Sequence, residues 1–235
     1  MTRNRLIFFV AWLVVVNVFV HWILSGDRLR PVTDDLVAYL QAKSAGSTVT
    51  LNSPGGFADP AFAAADVIER RRLTLRINKQ CLSACADILL AAAHTVVLDE
   101  AVVGFHGNPA MFDAYRQSLG LGHTMHCTAA WGQRFEALYR RQGLNVEFWR
   151  EMVRRMPDNV VEPMPNRELS PGCPRIGMRG PVAYWLPTSS QLRDLLRLNF
   201  TGTLCADDPI CIRDRLPRLI GRGRLVVVGD ALVQT

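Results

Sequence analysis

Lysine is almost missing from this chain. Of its 27 basic residues only Lys43 and Lys79 are lysine, and the rest are arginine. No lysine follows Lys79, so a serine beyond that point has no lysine downstream to act as its base. Aromatic residues are also few, at 8%, and the arginines come in twos and threes ("ERRR", "GRGR") with few rings between them. That pattern reads as solvated faces. A nucleic-acid surface would interleave basic and stacking residues, so no nucleic-acid partner is expected. There is no Walker A loop and no GxGxxG fingerprint. Phosphate and dinucleotide binding are therefore not indicated, and no cofactor is implied. Clustered metal ligands are scarce as well. "HTMHC" brings His123, His126 and Cys127 together, but no second cluster at structural-zinc spacing accompanies it, so no metal is expected. Repeats and low-complexity tracts are absent. What remains is 49% apolar and 20% charged, with a net charge of +6. This is a globular composition and not a disordered one.

One long apolar run does stand out. Residues 6–24, "LIFFVAWLVVVNVFVHWIL", carry no formal charge. As a helix the run would be about 28 Å long, close to the ~30 Å hydrocarbon core of a bilayer. Arg3 and Arg5 precede it, and Trp22 sits near its far end, where aromatic rings favour the interface. A cleaved signal peptide is the competing reading, but "HWILSGD" lacks a small-x-small cleavage site. The expectation is an uncleaved single-pass anchor within residues 1–27, contacting the lipid bilayer through 6–24. Residues 28–235 then form one domain outside the cytoplasm. Six cysteines fit an oxidising compartment. Cys205 and Cys211 flank the turn "ADDPI" and are the best local disulfide pair. Cys127 with Cys173 would form a longer tie. Buried free thiols are the alternative.

After the anchor the pattern alternates. "RPVTDDLVAYLQAKSAG" reads as a short helix, with Thr33 as N-cap candidate and Leu36 and Leu40 on its apolar stripe. "STVTLN" reads as a strand, "SPGG" breaks it, and "DPAFAAADVIERRR" reads as an amphipathic helix with Pro60 in its first turn. "LTLRI" is a strand, "SACADILLAAAH" an apolar helix, and "HTVVLD" and "AVVGFH" two short strands. Strand–turn–helix alternation of this kind predicts an α/β architecture. From Met111 to Met156 the chain reads as mostly helical. Residues 157–181 are rich in proline and glycine and read as a long loop or insertion. "AYWL" is strand-like, "SSQLRDLLRL" a short helix, and "RLVVVGDALV" a last strand.

Three short motifs carry the chemistry. "NSPGG" ends a strand, and its glycines can adopt conformations closed to other residues. Such a turn can aim backbone N–H groups at a developing negative oxygen. Ser83 in "CLSACA" stands at the start of an apolar helix, beside the positive end of the helix dipole. The bland reading makes it that helix's N-cap. His106 in "GFHG" follows a β-branched run. A serine hydroxyl needs a base to become nucleophilic, and histidine is the usual one.

In order and spacing, "NSPGG", "CLSACADILLAA" and "GFHG" together resemble the Clp protease proteolytic-subunit family of the Clp–crotonase superfamily. "CLSAC" with an N-terminal anchor looks most like its uncharacterised membrane-anchored periplasmic members. The match runs from about Thr48 to Pro109. The resemblance implies a Clp/crotonase-like ββα spiral behind one transmembrane helix, acting as a serine peptidase on peptide or protein substrates. It places the nucleophile on Ser83 and the base on His106. The oxyanion-hole amides fall on Gly55 or Gly56 and on Ala84. Homo-oligomers are common in that family, but the matched segment does not contain their assembly surfaces.

The chain departs from the family at the third catalytic residue, an acid that orients the histidine. Val182, Ala183 and Tyr184 stand where that acid would precede the aromatic. Asp158 is the substitute candidate, followed by Asn159, Glu162 and Glu168, or by no third residue at all. The Pro-rich insertion has no counterpart in the compact protease. A membrane-bound branch uses a Ser–Lys dyad with its lysine after the serine; no lysine follows Ser83 here, so that mechanism is not expected. The reading from another functional class is a degenerate Clp-like domain that binds peptide or a partner protein without cleaving it.

Overall fold

The computed structural model describes residues 28–107, 126–155, 160–170, 173–179 and 182–235. The anchor candidate at 6–24, His123, Asp158 and Asn159 lie outside the described residues. Among the described residues no helix is long and apolar enough to cross a membrane.

The fold is α/β around a four-stranded parallel sheet in the order β1–β2–β3–β7. Helix α1 (Asp34–Gln41) follows Thr33, which is extended, and buries Leu36 and Leu40. Its first-turn Asp34 and Asp35 complement the helix dipole. β1 (Thr48–Ser53) is the predicted β-branched strand. α2 (Ala58–Arg71) buries Ala61, Phe62, Ala64, Ala65, Val67 and Ile68, the stripe expected at a 3.6-residue period. It stops at Arg72, which turns left-handed with φ 51°. β2 (Thr74–Leu82) lies between β1 and β3, its Thr74 in register with Thr48 on one side and Thr95 on the other.

A π-helical turn, Cys85–Leu89, runs into Leu90–Ala92, and together they form α3. All eight of its residues are buried, in keeping with the all-round apolar sequence. β3 (Thr95–Gly104) is one strand where the sequence suggested two. The polar pair Asp99–Glu100 looks like a break, but it is a bulge. Glu100 takes φ 47°, and the pairing with β7 shifts between Asp99 and Ala101. A bulge absorbs the extra residue without ending the strand.

Next come α4 (His126–Arg141) and α5 (Phe148–Arg155), as the helical pattern predicts. α4 lies against α2. The Trp131 indole N–H donates to Asp59 at 2.8 Å, and Arg141 pairs with Glu69 at 2.9 Å. The Pro-rich stretch is not the expected loop. Its described residues form an antiparallel hairpin of β4 (Val160–Ser170) and β5 (Cys173–Arg179). Proline is tolerated in such a two-stranded ribbon because its missing N–H can face outward at an edge. The pairing shifts register between Pro163 and Glu168.

β6 (Val182–Leu186) is followed by α6, made of Ser189–Gln191 and Leu192–Leu196 and opened by a capping box on Thr188. β7 (Thr201–Leu204) completes the parallel sheet at the β3 edge. The sequence reading missed it, since "TGTL" is short and holds a glycine. That glycine is required: a Cβ on Gly202 would fall 2.0 Å from the Leu98 carbonyl oxygen. α7 (Pro209–Leu219) is capped by Asp208, which accepts from the Ile210 N–H. The final segment is a hairpin and not a single strand. β8 (Leu225–Val228) turns through Gly229 and Asp230 into β9 (Ala231–Gln234). A two-residue loop beginning with glycine is a standard hairpin connection. β6, β8 and β9 make a second sheet.

The two sheets meet at Phe105 and Trp185. These residues exchange backbone hydrogen bonds of 2.9 and 2.8 Å. Their rings join Phe148 of α5 in a fully buried aromatic cluster, with centroids 5.0 to 6.1 Å apart. The Trp185 indole N–H is satisfied by the Gly229 carbonyl at 3.0 Å. This clasp lies one residue before His106 and one after Tyr184, so it fixes the floor of the region described next.

Candidate active site

Parallel strands bring the three motifs to one edge of the sheet. β1, β2 and β3 end at Ser53, Leu82 and Gly104, and the register pairs Ser53 with Cys81 and Leu82 with Gly104. "PGG" leaves β1, Ser83 leaves β2, and His106 follows β3 by two residues. In open parallel sheets, ligands bind beyond the carboxyl ends of the strands.

Ser83 is not an ordinary N-cap. It sits in the left-handed region at φ 55°, which costs a residue with a side chain roughly 1–2 kcal/mol. Its N–H donates to the Gly104 carbonyl at 2.8 Å, and its carbonyl accepts from the Asp87 N–H at 2.9 Å. The left-handed step turns the chain from strand to helix at a half-buried serine.

Gly55 lies directly on that serine. A Cβ at Gly55 would come 2.5 Å from the Ser83 Cβ and 2.6 Å from the Leu82 carbonyl oxygen, and Gly55 itself has φ +90°. Both the contact and the conformation exclude a side chain. The structure also separates the two glycines left open by the sequence. The Gly55 N–H donates to the Ser53 hydroxyl at 3.2 Å, and the Gly55 carbonyl accepts from the Val32 N–H at 2.8 Å. Gly56 forms a parallel bridge with Val32, closed on its far side by the Phe57 N–H donating to the Val32 carbonyl at 3.2 Å. Among the described residues the Gly56 N–H has no acceptor, and neither has the Ala84 N–H. Two open amides thus flank the serine turn.

The His106 ring meets the Tyr184 ring edge-on, with centroids 5.2 Å apart. The residue keeps part of its surface exposed. Desolvation is nevertheless the leading influence on its imidazole, and the pKa is lowered to about 4, against a smaller opposing effect of its own backbone. Burial also pushes the Tyr184 hydroxyl up from its ordinary value. Among the described residues no carboxylate bears on His106, and no hydrogen bond joins it to Ser83. Catalytic contacts are often loose before substrate arrives. Of the acid candidates, Glu162 and Glu168 lie on β4, opposite Gly177 and Pro174, while Asp158 and Asn159 fall outside the described residues.

The cysteines give one expected pair and one that the sequence reading missed. Cys205 and Cys211 form a disulfide, with Cα atoms 5.2 Å apart. A second disulfide joins Cys81 to Cys85 across Ser83, also with Cα atoms 5.2 Å apart. The signal for it was in "CLSAC" itself, an i,i+4 pair spanning a turn. Cys127 lies in α4 and Cys173 in β5, and their side chains are outside the described set. Among the described residues no group of His, Cys, Asp and Glu is arranged to hold a metal.

No protein-family model matches the chain, and no curated protein does. Solved structures do show similarity. One is a mutant of the 1510-N membrane-bound stomatin-specific protease, 16% identical with a TM-score of 0.36. The match covers 53% of this chain and 66% of that one, so this chain spans just under two thirds of that length. Another is the ClpP protease catalytic domain from Plasmodium falciparum, 11% identical with a TM-score of 0.37, covering 72% of this chain and 79% of that one. With both TM-scores under one half, these likenesses carry nothing about activity.

Proposed function

We propose that this chain is a serine peptidase with a Clp-like site, cleaving peptides or proteins. The observation that carries the reading is the left-handed Ser83 at the end of β2 with the glycine turn seated on it. A strained strand-to-helix turn that exposes a serine hydroxyl is a recurrent way of presenting a nucleophile. Ser83 Oγ attacks the peptide carbonyl. His106, neutral at physiological pH, takes the hydroxyl proton and returns it to the leaving amine. The open amides of Gly56 and Ala84 receive the negative oxygen of the tetrahedral intermediate, where fixed donors act without reorganising. Gly55 serves differently: its amide is occupied, and its missing side chain makes room for the serine. Asp158 is the carboxylate proposed to orient the imidazole.

The test is exposure of the folded, full-length protein to a fluorophosphonate probe, followed by mass-spectrometric mapping of the adduct. A single adduct on Ser83 is expected. A folded protein that takes no label, or takes it elsewhere, would transfer the reading to a peptide-binding domain without catalysis.

The apolar run at 6–24 and the two disulfides motivate an anchored domain in the periplasm. Alkaline phosphatase fused after Thr235 is expected to be active in cells. An inactive phosphatase fusion paired with a fluorescent cytoplasmic one would place the domain inside.

A further inference from the structure

We infer that the Cys81–Cys85 disulfide is a positioning device for the serine turn, so that the site is competent only in the oxidised protein. The inference rests on the peptidase reading for its consequence, though not for its geometry. The bridge closes a ring over three residues, Leu82, Ser83 and Ala84. They are the last residue of β2, the nucleophile candidate and the residue whose amide faces the oxyanion. Leu82 pairs with Gly104 in the sheet, and Ser83 is held by its N–H on the Gly104 carbonyl and by the Asp87 N–H on its own carbonyl. Ser83 is in a conformation that its side chain disfavours. The Ala84 N–H has no acceptor among the described residues. The helix that follows opens with a π-helical turn, in which Leu90 N–H reaches back to the Cys85 carbonyl. Such turns are rare and occur frequently at functional sites.

The bridge adds a covalent tie next to the one amide of the turn, that of Ala84, with no acceptor among the described residues. Cys81 is anchored in the middle of the parallel sheet, paired with Ser53 on one side and Val103 on the other. Cys85 is anchored in the core beside it, and both residues are fully buried. The covalent tie therefore fixes the helix start to the strand end. It limits the freedom of the Ala84 amide, one of the two that must stay aimed. Gly55 presses on the same Leu82–Ser83 segment from the turn after β1, and the two constraints together define one position for the hydroxyl. Full burial makes the pair unsuited to thiol exchange, which needs an accessible sulfur. Its role is structural control of the turn and not redox catalysis. The Cys205–Cys211 bridge has no such placement. It closes a 3-10 turn onto the start of α7.

The experiment compares the full-length oxidised protein with Cys81→Ala/Cys85→Ala, with Cys205→Ala/Cys211→Ala as control. Amide hydrogen exchange is followed in fragments covering residues 79–90, with 95–104 as reference, and fluorophosphonate labelling rates are measured in parallel. In the first variant, exchange at 83–88 is expected to rise at least about tenfold with the reference strand unchanged. Labelling is expected to fall about 10²-fold, the loss typical of one misplaced oxyanion donor. The control variant should keep both at wild-type levels. Should the double variant also lose protection in β3, the wild-type sequence refolded under reducing conditions leaves no cavity and is read the same way. Unchanged exchange at 83–88 overturns the inference, and so does wild-type labelling from a variant whose turn has loosened. Absence of labelling in the oxidised wild type would sink the peptidase reading alone, because exchange still decides whether the bridge orders the turn.

Discussion

Ser83→Ala is expected to lower the turnover of a fluorogenic peptide by roughly 10⁶-fold, the scale seen when a serine hydrolase loses its nucleophile. Fluorophosphonate labelling should vanish with it. Stability should stay within about 0.5 kcal/mol, because alanine at this position keeps the left-handed φ of 55° and its cost. Ser83→Gly separates the two effects. It abolishes activity equally, yet glycine occupies the left-handed region without penalty. Unfolding in urea is therefore expected to show a gain of about 1 kcal/mol. Such a gain would mark the serine as a residue held in strain for chemistry. A Ser83→Gly protein no more stable than wild type would mean that the turn is not strained, and peptide turnover surviving in Ser83→Ala would remove the nucleophile.

His106→Ala is expected to lower the labelling rate by about 10²–10⁴-fold, the usual worth of a positioned general base. The pH dependence tests the same residue without a mutation. With a pKa of about 4, the imidazole stays neutral well below the usual histidine range. The acid limb of the labelling rate should then lie near pH 4 and not near 6.5. An acid limb near 7 that collapses in Asp158→Asn would instead place a charged carboxylate at the ring. Stability follows with a definite sign. The folded pKa is depressed below the unfolded value of ~6.5, so the unfolded chain binds more protons between those two values. Stability attributable to His106 is full above pH ~6.5, is lost as pH falls through that window, and changes no further below about 4. At 1.36 kcal/mol per pKa unit the loss is on the order of 3 kcal/mol. His106→Gln should flatten that dependence in urea titrations across the window.

The two effects share one origin. The Phe105–Trp185 clasp joins the sheets immediately before His106, where the ring packs against Tyr184 and is largely desolvated. In the proposed mechanism the same low-dielectric setting would strengthen hydrogen bonds from the open amides of Gly56 and Ala84 toward a developing oxyanion. A site built this way relies on fixed backbone donors more than on charged side chains. That agrees with a chain in which no lysine follows Lys79.

Local chemistry made much of this protein legible from sequence alone. The β-branched run of β1, the apolar stripe of α2 and the all-apolar α3 each follow from side-chain period, because burial of a face needs that period. The glycine pair, Ser83 and His106 could be singled out as candidates by residue type, and the parallel register brings them to one edge of the sheet. Cys205 and Cys211 paired as expected because a short turn keeps them close. Tertiary contacts decided the rest. β7 has no periodicity of its own and exists only because the β3 edge accepts it, with Gly202 giving way to the Leu98 carbonyl. The Pro-rich segment became a hairpin through pairing between strands, which a single-strand pattern does not encode. Gly55 and Gly56 are equivalent in sequence, and only the bridge to Val32 and the Ser53 hydroxyl engage one amide and leave the other open. The left-handed turn at Ser83 and the depressed pKa of His106 arise from packing between strands far apart in the chain. Backbone strain and desolvation are properties of an environment, and no residue carries its environment in its own side chain.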